Sequence, residues 1–273
     1  MLVSIVDGGR RLLDVPFDAE GATRLLQRLV RRRIEAAEAQ AARALARRAL
    51  AARIRFPYPE ARPHQDELSA RLADALGAGR PALATAPTGV GKTVAALVPA
   101  LRHALAHDAL LFFLTAKTTQ QDLVARTFED VARASGCADG AVRALTFRQK
   151  RGMCPPGNLL CHPDHCAYLK GFLKRPLRER ALADLEADTA HVAPDRILAL
   201  GKERTICPYA LAQTLCLRVD LVIADVNYVY DPAVAFNLFE NGTTSRPVVA
   251  VVDEAHNLFD RSRAVSYTHL TLP

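Results

Sequence analysis

The run Ala86-Pro87-Thr88-Gly89-Val90-Gly91-Lys92-Thr93 constrains the fold more than any other feature of the 273-residue chain. Its decisive end, Gly-Lys-Thr, falls between a segment that reads as a strand ending near Thr85 and one that reads as a helix from about Gly91, the setting a phosphate-binding loop requires. Gly89 and Gly91 let backbone N–H groups turn inward around an anion, the helix N-terminus adds its positive end, and Lys92 neutralises the outer phosphates. Thr93 is placed to hold a magnesium ion. Ala86 stands where such loops usually carry a first glycine, which keeps a small residue there. The competing reading, an incidental Gly-rich turn, leaves the flanking strand and helix unexplained.

The surrounding pattern alternates strand and helix. A helix over about 63–77 precedes the loop, and the apolar runs Leu110 to Leu114, Leu221 to Ala224 and Val248 to Val252 are short and rich in aliphatic residues, as buried parallel strands are. The expected class is α/β, a parallel sheet flanked by helices. Ahead of it, residues 3–18 read as two short strands joined at Asp7-Gly8-Gly9, followed from Ala19 to about Arg53 by an amphipathic helix with Leu25, Leu26, Leu29, Ile34, Ala37, Ala41 and Leu45 at three- and four-residue steps. Phe56-Pro57-Tyr58-Pro59 stops that helix.

A phosphate loop needs a carboxylate at the end of a second buried strand, and Val248-Val249-Ala250-Val251-Val252-Asp253-Glu254-Ala255-His256 supplies it. Asp253 is suited to the metal, Glu254 to orienting and deprotonating an attacking water, and His256 to sensing the γ-phosphate. Together these residues imply ATP and Mg2+ as ligands. The tetrad Asp-Glu-Ala-His resembles the signature of superfamily 2 helicases. In that resemblance Gln65, one helix ahead of the loop, reads adenine, and Leu114-Thr115-Ala116-Lys117-Thr118-Thr119-Gln120 grips DNA phosphates; a polar helix cap is the plainer reading of the latter.

Net charge is +7, but residues 1–60 hold 12 Lys/Arg against 7 Asp/Glu and the remainder is nearly balanced. Arg31, Arg32, Arg33, Arg43, Arg47 and Arg48 are suited to phosphates or, more commonly for such a run, to a solvated helix face. No apolar run reaches the ~18 to 20 residues of a bilayer span, and the N-terminus lacks the pattern of a signal peptide, so the expected address is cytoplasmic, without a membrane partner.

Between about 137 and 216 the strand pattern lapses and all six cysteines appear. Cys154, Cys161, Cys166 and Cys207 are separated by six, four and forty residues. In a reducing compartment a metal centre is preferred over disulfides, and the spacing leaves zinc and an iron–sulfur cubane both open, with a mild preference for the cubane. Cys137 and Cys216 read as ordinary buried thiols. The wording around the four, Gln149-Lys150-Arg151-Gly152-Met153-Cys154, Cys166-Ala167-Tyr168, Cys207-Pro208-Tyr209 and then Asp225-Val226-Asn227-Tyr228, resembles the XPD and DinG family of iron–sulfur DNA helicases over about 56–263. The resemblance implies a RecA-like P-loop domain with an inserted, mostly helical cysteine-rich domain, a [4Fe-4S] cluster on those four cysteines, and 5′ to 3′ unwinding of single-stranded or forked DNA.

The expected organisation is therefore a hairpin and long helix over 1–55, resembling the tail of an upstream nuclease-like domain; RecA-like domain 1 over 56–136 and 217–263; the iron–sulfur insertion over 137–216; and a non-native tail over 264–273, where the wording departs from the family. The family's second RecA-like domain, with its Gln-x-x-Gly-Arg-x-x-Arg segment, has no counterpart here, so the chain reads as a fragment expected to bind nucleotide weakly and hydrolyse it hardly at all. Two rival functions remain: an RNA helicase of the same superfamily, and a non-catalytic zinc-bearing nucleic-acid-binding module.

Overall fold

The computed structural model describes residues 2–3, 10–11, 18–87, 89–158, 160–187, 189–230 and 246–258. Two compact units divide the chain, residues 1–45 and 46–273. In the first, β1 (Leu2–Val3) pairs antiparallel with β2 (Arg10–Arg11), as the hairpin reading expects, with Leu2 opposite Arg11. The turn at Asp7-Gly8-Gly9 lies outside the described residues, as do Thr88 and the whole 264–273 tail. Helix α1 (Ala19–Arg53) has the expected bounds, and belongs to the first unit as far as Leu45.

The second unit is built on a five-stranded, wholly parallel sheet. After α2 (Gln65–Gly77) and α3 (Lys92–Ala106) come β3 (Leu110–Thr115), α4 (Thr118–Ala134) and β4 (Ala144–Thr146). Then follow α5 (Lys150–Met153), α6 (Ala167–Leu173), α7 (Arg175–Glu186), β5 (His191–Val192), α8 (Pro194–Arg204) and α9 (Pro208–Cys216). The described chain continues through β6 (Leu221–Asp225), α10 (Asn227–Tyr230) and β7 (Val248–Val252), and a 3₁₀ turn spans Ala255–Asn257. The strand order is β5-β4-β6-β3-β7. This is the α/β, RecA-like arrangement expected.

Period-two alternation explains why β3 is apolar throughout. Leu111 and Phe113 point into a core with Leu97, Leu101 and Phe128, whereas Leu110, Phe112 and Leu114 point into one with Leu182, Ile197 and Leu215. Every residue of β3 is buried because helices cover both faces, and a strand buried on both faces has no polar side.

Three details differ from the sequence reading. No strand forms at 81–87: Pro81 lacks a donor, the short side chains of Ala82 and Ala84 bury little, and Leu83 stays 89% exposed. The stretch 137–216 is not set apart from the sheet, because β4 and β5 lie in it and α7, α8 and α9 cover its second face; residues 154–170 contribute no buried side chain among those described. Arg47, expected on a solvated or phosphate-facing surface, is 11% exposed and pairs with Asp220 at 2.6 Å, beside Asp108 and Arg246 where β3 and β6 begin.

Candidate nucleotide site and cysteine segment

Nucleotides bind at the C-terminal ends of parallel strands, and the two acidic residues emerge there. Asp253 continues the β7 ladder, its N–H donating to the Leu114 carbonyl at 2.8 Å. Burial lifts the Asp253 carboxyl above the usual carboxylate range, and the Glu254 charge adds to this. The Glu254 N–H, which donates to Asp253 Oδ1 at 3.0 Å, and the Lys92 ammonium pull it back. Lys92 and Asp253 thus lie within electrostatic reach of each other. Glu254 sits in the left-handed region at φ 53°, which turns the chain sharply off the strand into the 3₁₀ turn. Its carbonyl accepts from the Asn257 N–H at 3.0 Å and the Asn257 side-chain amide at 3.2 Å. His256 is exposed, with Nδ1 3.4 Å from Glu254 Oε2.

The phosphate loop has the backbone its glycines predict. Gly89 has φ 87° and Gly91, the N-cap of α3, has φ 81°, conformations that side-chain-bearing residues rarely adopt. Lys92 and Thr93 occupy the first turn of α3, half-buried. Lys92 Nζ donates to the Ala86 carbonyl at 3.1 Å. Pro87 is exposed, and Ala86 and Val90 are half-buried.

Gln65 is 1% exposed, and its amide donates to the carbonyls of Val90 at 2.9 Å and Gly91 at 3.1 Å, while its oxygen accepts from the Arg62 backbone N–H at 3.0 Å. The amide nitrogen of Gln65 thus bonds the loop itself. Sequence reasoning missed this bracing contact and missed Arg62, whose guanidinium Nη1 donates to the Gly89 carbonyl at 2.7 Å. The one available signal was the three-residue spacing of Arg62 and Gln65 across the turn that opens α2.

Where β3 ends, Gln120 Oε1 accepts from the Lys117 N–H at 3.1 Å and caps α4, the plainer role weighed for this segment. Lys117, Thr118 and Thr119 are exposed at the positive end of that helix.

The cysteine segment is less closed. Cys154, Cys166 and Cys207 are half-buried and Cys161 is exposed, and all six cysteines are free. Cys166 and Cys207 are the N-caps of α6 and α9, and the Cys207 N–H donates to the Tyr168 carbonyl at 2.9 Å, which ties the two helix starts together. Burial pushes the Cys207 thiol up, against the N–H groups of Ala210 and Tyr209, and the nearby Cys166 and Cys161 push it further. Lys150 is raised first by its bond to Cys161 and also feels Cys154. Cys207 therefore feels Cys166 and Cys161, and Lys150 feels Cys161 and Cys154, yet among the described residues no three metal-ligating side chains converge tightly enough to hold an ion. Cys137 and Cys216 are fully buried, and burial raises both thiols, as expected of structural cysteines. Among the described residues no helix is long and apolar enough to cross a membrane.

Comparison with known proteins agrees with this geometry. The helicase subunit XPD/RAD3 of the general transcription and DNA repair factor IIH from Saccharomyces cerevisiae is 22% identical over 244 residues, covering 75% of this chain and 30% of the relative. A probable ATP-dependent helicase of Methanocaldococcus jannaschii is 25% identical over 214 residues, covering 78% and 31%. A Fanconi anemia group J protein homolog from Gallus gallus is 37% identical over a shorter stretch of 73 residues, covering 26% and 6%. The chain thus spans at most about a third of these curated relatives. The DEAD_2 family model matches residues 117–272, more than half of the chain, from the cap of α4 through β7 and the acidic pair. On that match, with helicases among the relatives, the chain belongs to the DEAD_2 family of XPD/DinG-type superfamily 2 helicases.

Proposed function

We propose that this chain is the ATP-binding part of a DNA helicase, in which ATP hydrolysis drives the parting of single-stranded or forked DNA in the 5′ to 3′ sense. The observation that carries the reading is that Lys92, at the start of α3, lies within electrostatic reach of Asp253, just past the end of β7. Lys92 leaves the Ala86 carbonyl for the β- and γ-phosphates, and the N–H groups of Val90 to Thr93 wrap the same oxygens. Thr93 and Asp253 hold the magnesium ion, which supplies charge neutralisation on the phosphates when bound. Glu254 orients the water and takes its proton, and His256, against Glu254, reports the state of that carboxylate. Lys117, Thr118 and Thr119 at the N-terminus of α4 meet DNA phosphates. Preference for DNA over RNA rests on relatives named for DNA repair.

Cys154, Cys161, Cys166 and Cys207 would hold a [4Fe-4S] cluster, whose binding would fix the segment 154–170 to the start of α9. The donor set suits it in kind: four free thiols, one ammonium beside them, and no competing disulfide. Ligand geometry closes when the metal binds, as in other sites where binding and local folding are coupled.

Equilibrium binding of a fluorescent ADP analogue to the chain tests the core of the reading. Magnesium-dependent binding reduced at least about a hundredfold by Lys92→Ala supports it, the scale of a lost charge-assisted contact to phosphate. Equal binding by both proteins refutes it.

A further inference from the structure

The loop 86–91 needs something to hold it, since the segment before it joins no ladder and Leu83 is open to solvent. Side chains from the turn opening α2 take that part: Arg62 Nη1 on the Gly89 carbonyl, and Gln65 Nε2 on the carbonyls of Val90 and Gly91. A trans peptide is planar, so its C=O and the following N–H point in opposite directions. Drawing the Gly89 carbonyl toward Arg62 therefore turns the Val90 N–H the other way, and drawing the Val90 and Gly91 carbonyls toward Gln65 does the same for the N–H groups of Gly91 and Lys92. Three consecutive N–H groups are thereby aimed away from α2, the arrangement that makes an anion-binding concavity.

We infer that Arg62 is a positioning residue for phosphate, acting through the Gly89 carbonyl to set the Val90 N–H before any nucleotide arrives. The inference rests on the ATP-binding reading and adds to it a residue that contacts the loop rather than the ligand. Arg62 matters because Gln65 alone leaves the first of the three peptides unheld. Gly89 is exposed at φ 87°, and a Cβ placed there would meet nothing within 4 Å, so the loop is open on that side and the guanidinium supplies the side-chain hydrogen bond described on this carbonyl. A residue working through the loop affects every phosphate ligand alike, whatever base it carries.

The test compares unsubstituted chain, Arg62→Ala, Arg62→Lys and Lys92→Ala, measuring binding of a fluorescent ADP analogue and its displacement by ADP, GDP and inorganic pyrophosphate. Arg62→Ala is expected to weaken all three ligands by the same factor, about three- to tenfold, the range of one ordinary hydrogen bond, since the guanidinium acts through the loop and not on the ligand. Arg62→Lys recovers part of the loss, and the melting temperature stays within a few degrees. Weaker ADP with unchanged pyrophosphate overturns the inference, because Arg62 would then read base or ribose. No change with Arg62→Ala, alongside a clear loss with Lys92→Ala, overturns it while leaving the ATP-binding reading intact. No binding by the unsubstituted chain removes both.

Discussion

The phosphate loop and the cysteine segment are both exposed loops placed at helix starts, and they differ in what holds them before a ligand binds. The loop is closed on itself: Lys92, Gln65 and Arg62 take its carbonyls, and two glycines adopt the left-handed conformations it needs. Its ligand is recognised by backbone groups that local bonds can aim in advance. Residues 154–170 bury no side chain, and among the described residues their cysteines do not converge into a metal-holding group, although Cys161 and Cys166 both act on Cys207. If the four cysteines hold the proposed cluster, their thiolates would repel one another until the metal arrived, and the segment would gain its final order from it. On that reading one site is preorganised and the other would be ligand-organised.

Glycine substitutions give the largest contrast between the two. Gly91→Ala sets a Cβ 2.2 Å from Gln65 Nε2 at a φ of 81°, so Gln65 must leave the loop; nucleotide binding in the fluorescent ADP titration is expected to fall at least about thirtyfold. Gly157→Ala, at φ 71° with nothing within 4 Å, is expected to cost only the left-handed strain of about 1–2 kcal/mol, read in urea melts, and to leave nucleotide binding alone. Equal effects at the two positions would remove the distinction between the regions.

A smaller effect comes from the acidic pair. Burial and Glu254 raise the Asp253 carboxyl, and protons compete with magnesium for it, so magnesium-dependent nucleotide binding weakens as pH falls, beginning above the pH at which an ordinary carboxylate protonates. Glu254→Gln removes the second cause and leaves burial, so the fall shifts to lower pH, by less than one unit. A profile unmoved by Glu254→Gln, measured by magnesium titration between pH 4 and 7, would show that the two carboxylates do not interact.

Much of this was legible in the sequence, for identifiable reasons. β3 and β6 were found because strands buried on both faces are written as continuous apolar runs, whereas β7 carries the same kind of run although it lies at the edge of the described sheet and is only half-buried, with Val248 40% exposed, contrary to the buried strand expected there. The loop was found because only glycine suits Gly89 and Gly91. The strands β4 and β5 escaped because two or three residues carry no periodicity, and their place in the sheet is decided by pairing with β6 and with each other. Arg47 was misplaced because nothing local shows that Asp108, Asp220 and Arg246, all distant in sequence, assemble around it. The bonds of Gln65 to the loop escaped the sequence because they run to residues 25 and 26 positions away. The four cysteines could be proposed as a set from their spacing and surrounding wording, but the geometry of a metal site is not written in spacing.

Metal content and visible absorbance of the chain purified without oxygen, compared with Cys166→Ser, test the central claim of an iron–sulfur DNA helicase most directly. The account predicts iron and sulfide near about four per chain, lost in the variant, with hydrogen exchange at 154–170 slowed only in the loaded protein. Zinc in place of iron, or no metal with exchange already slow, would contradict it and leave only an ATP-binding domain.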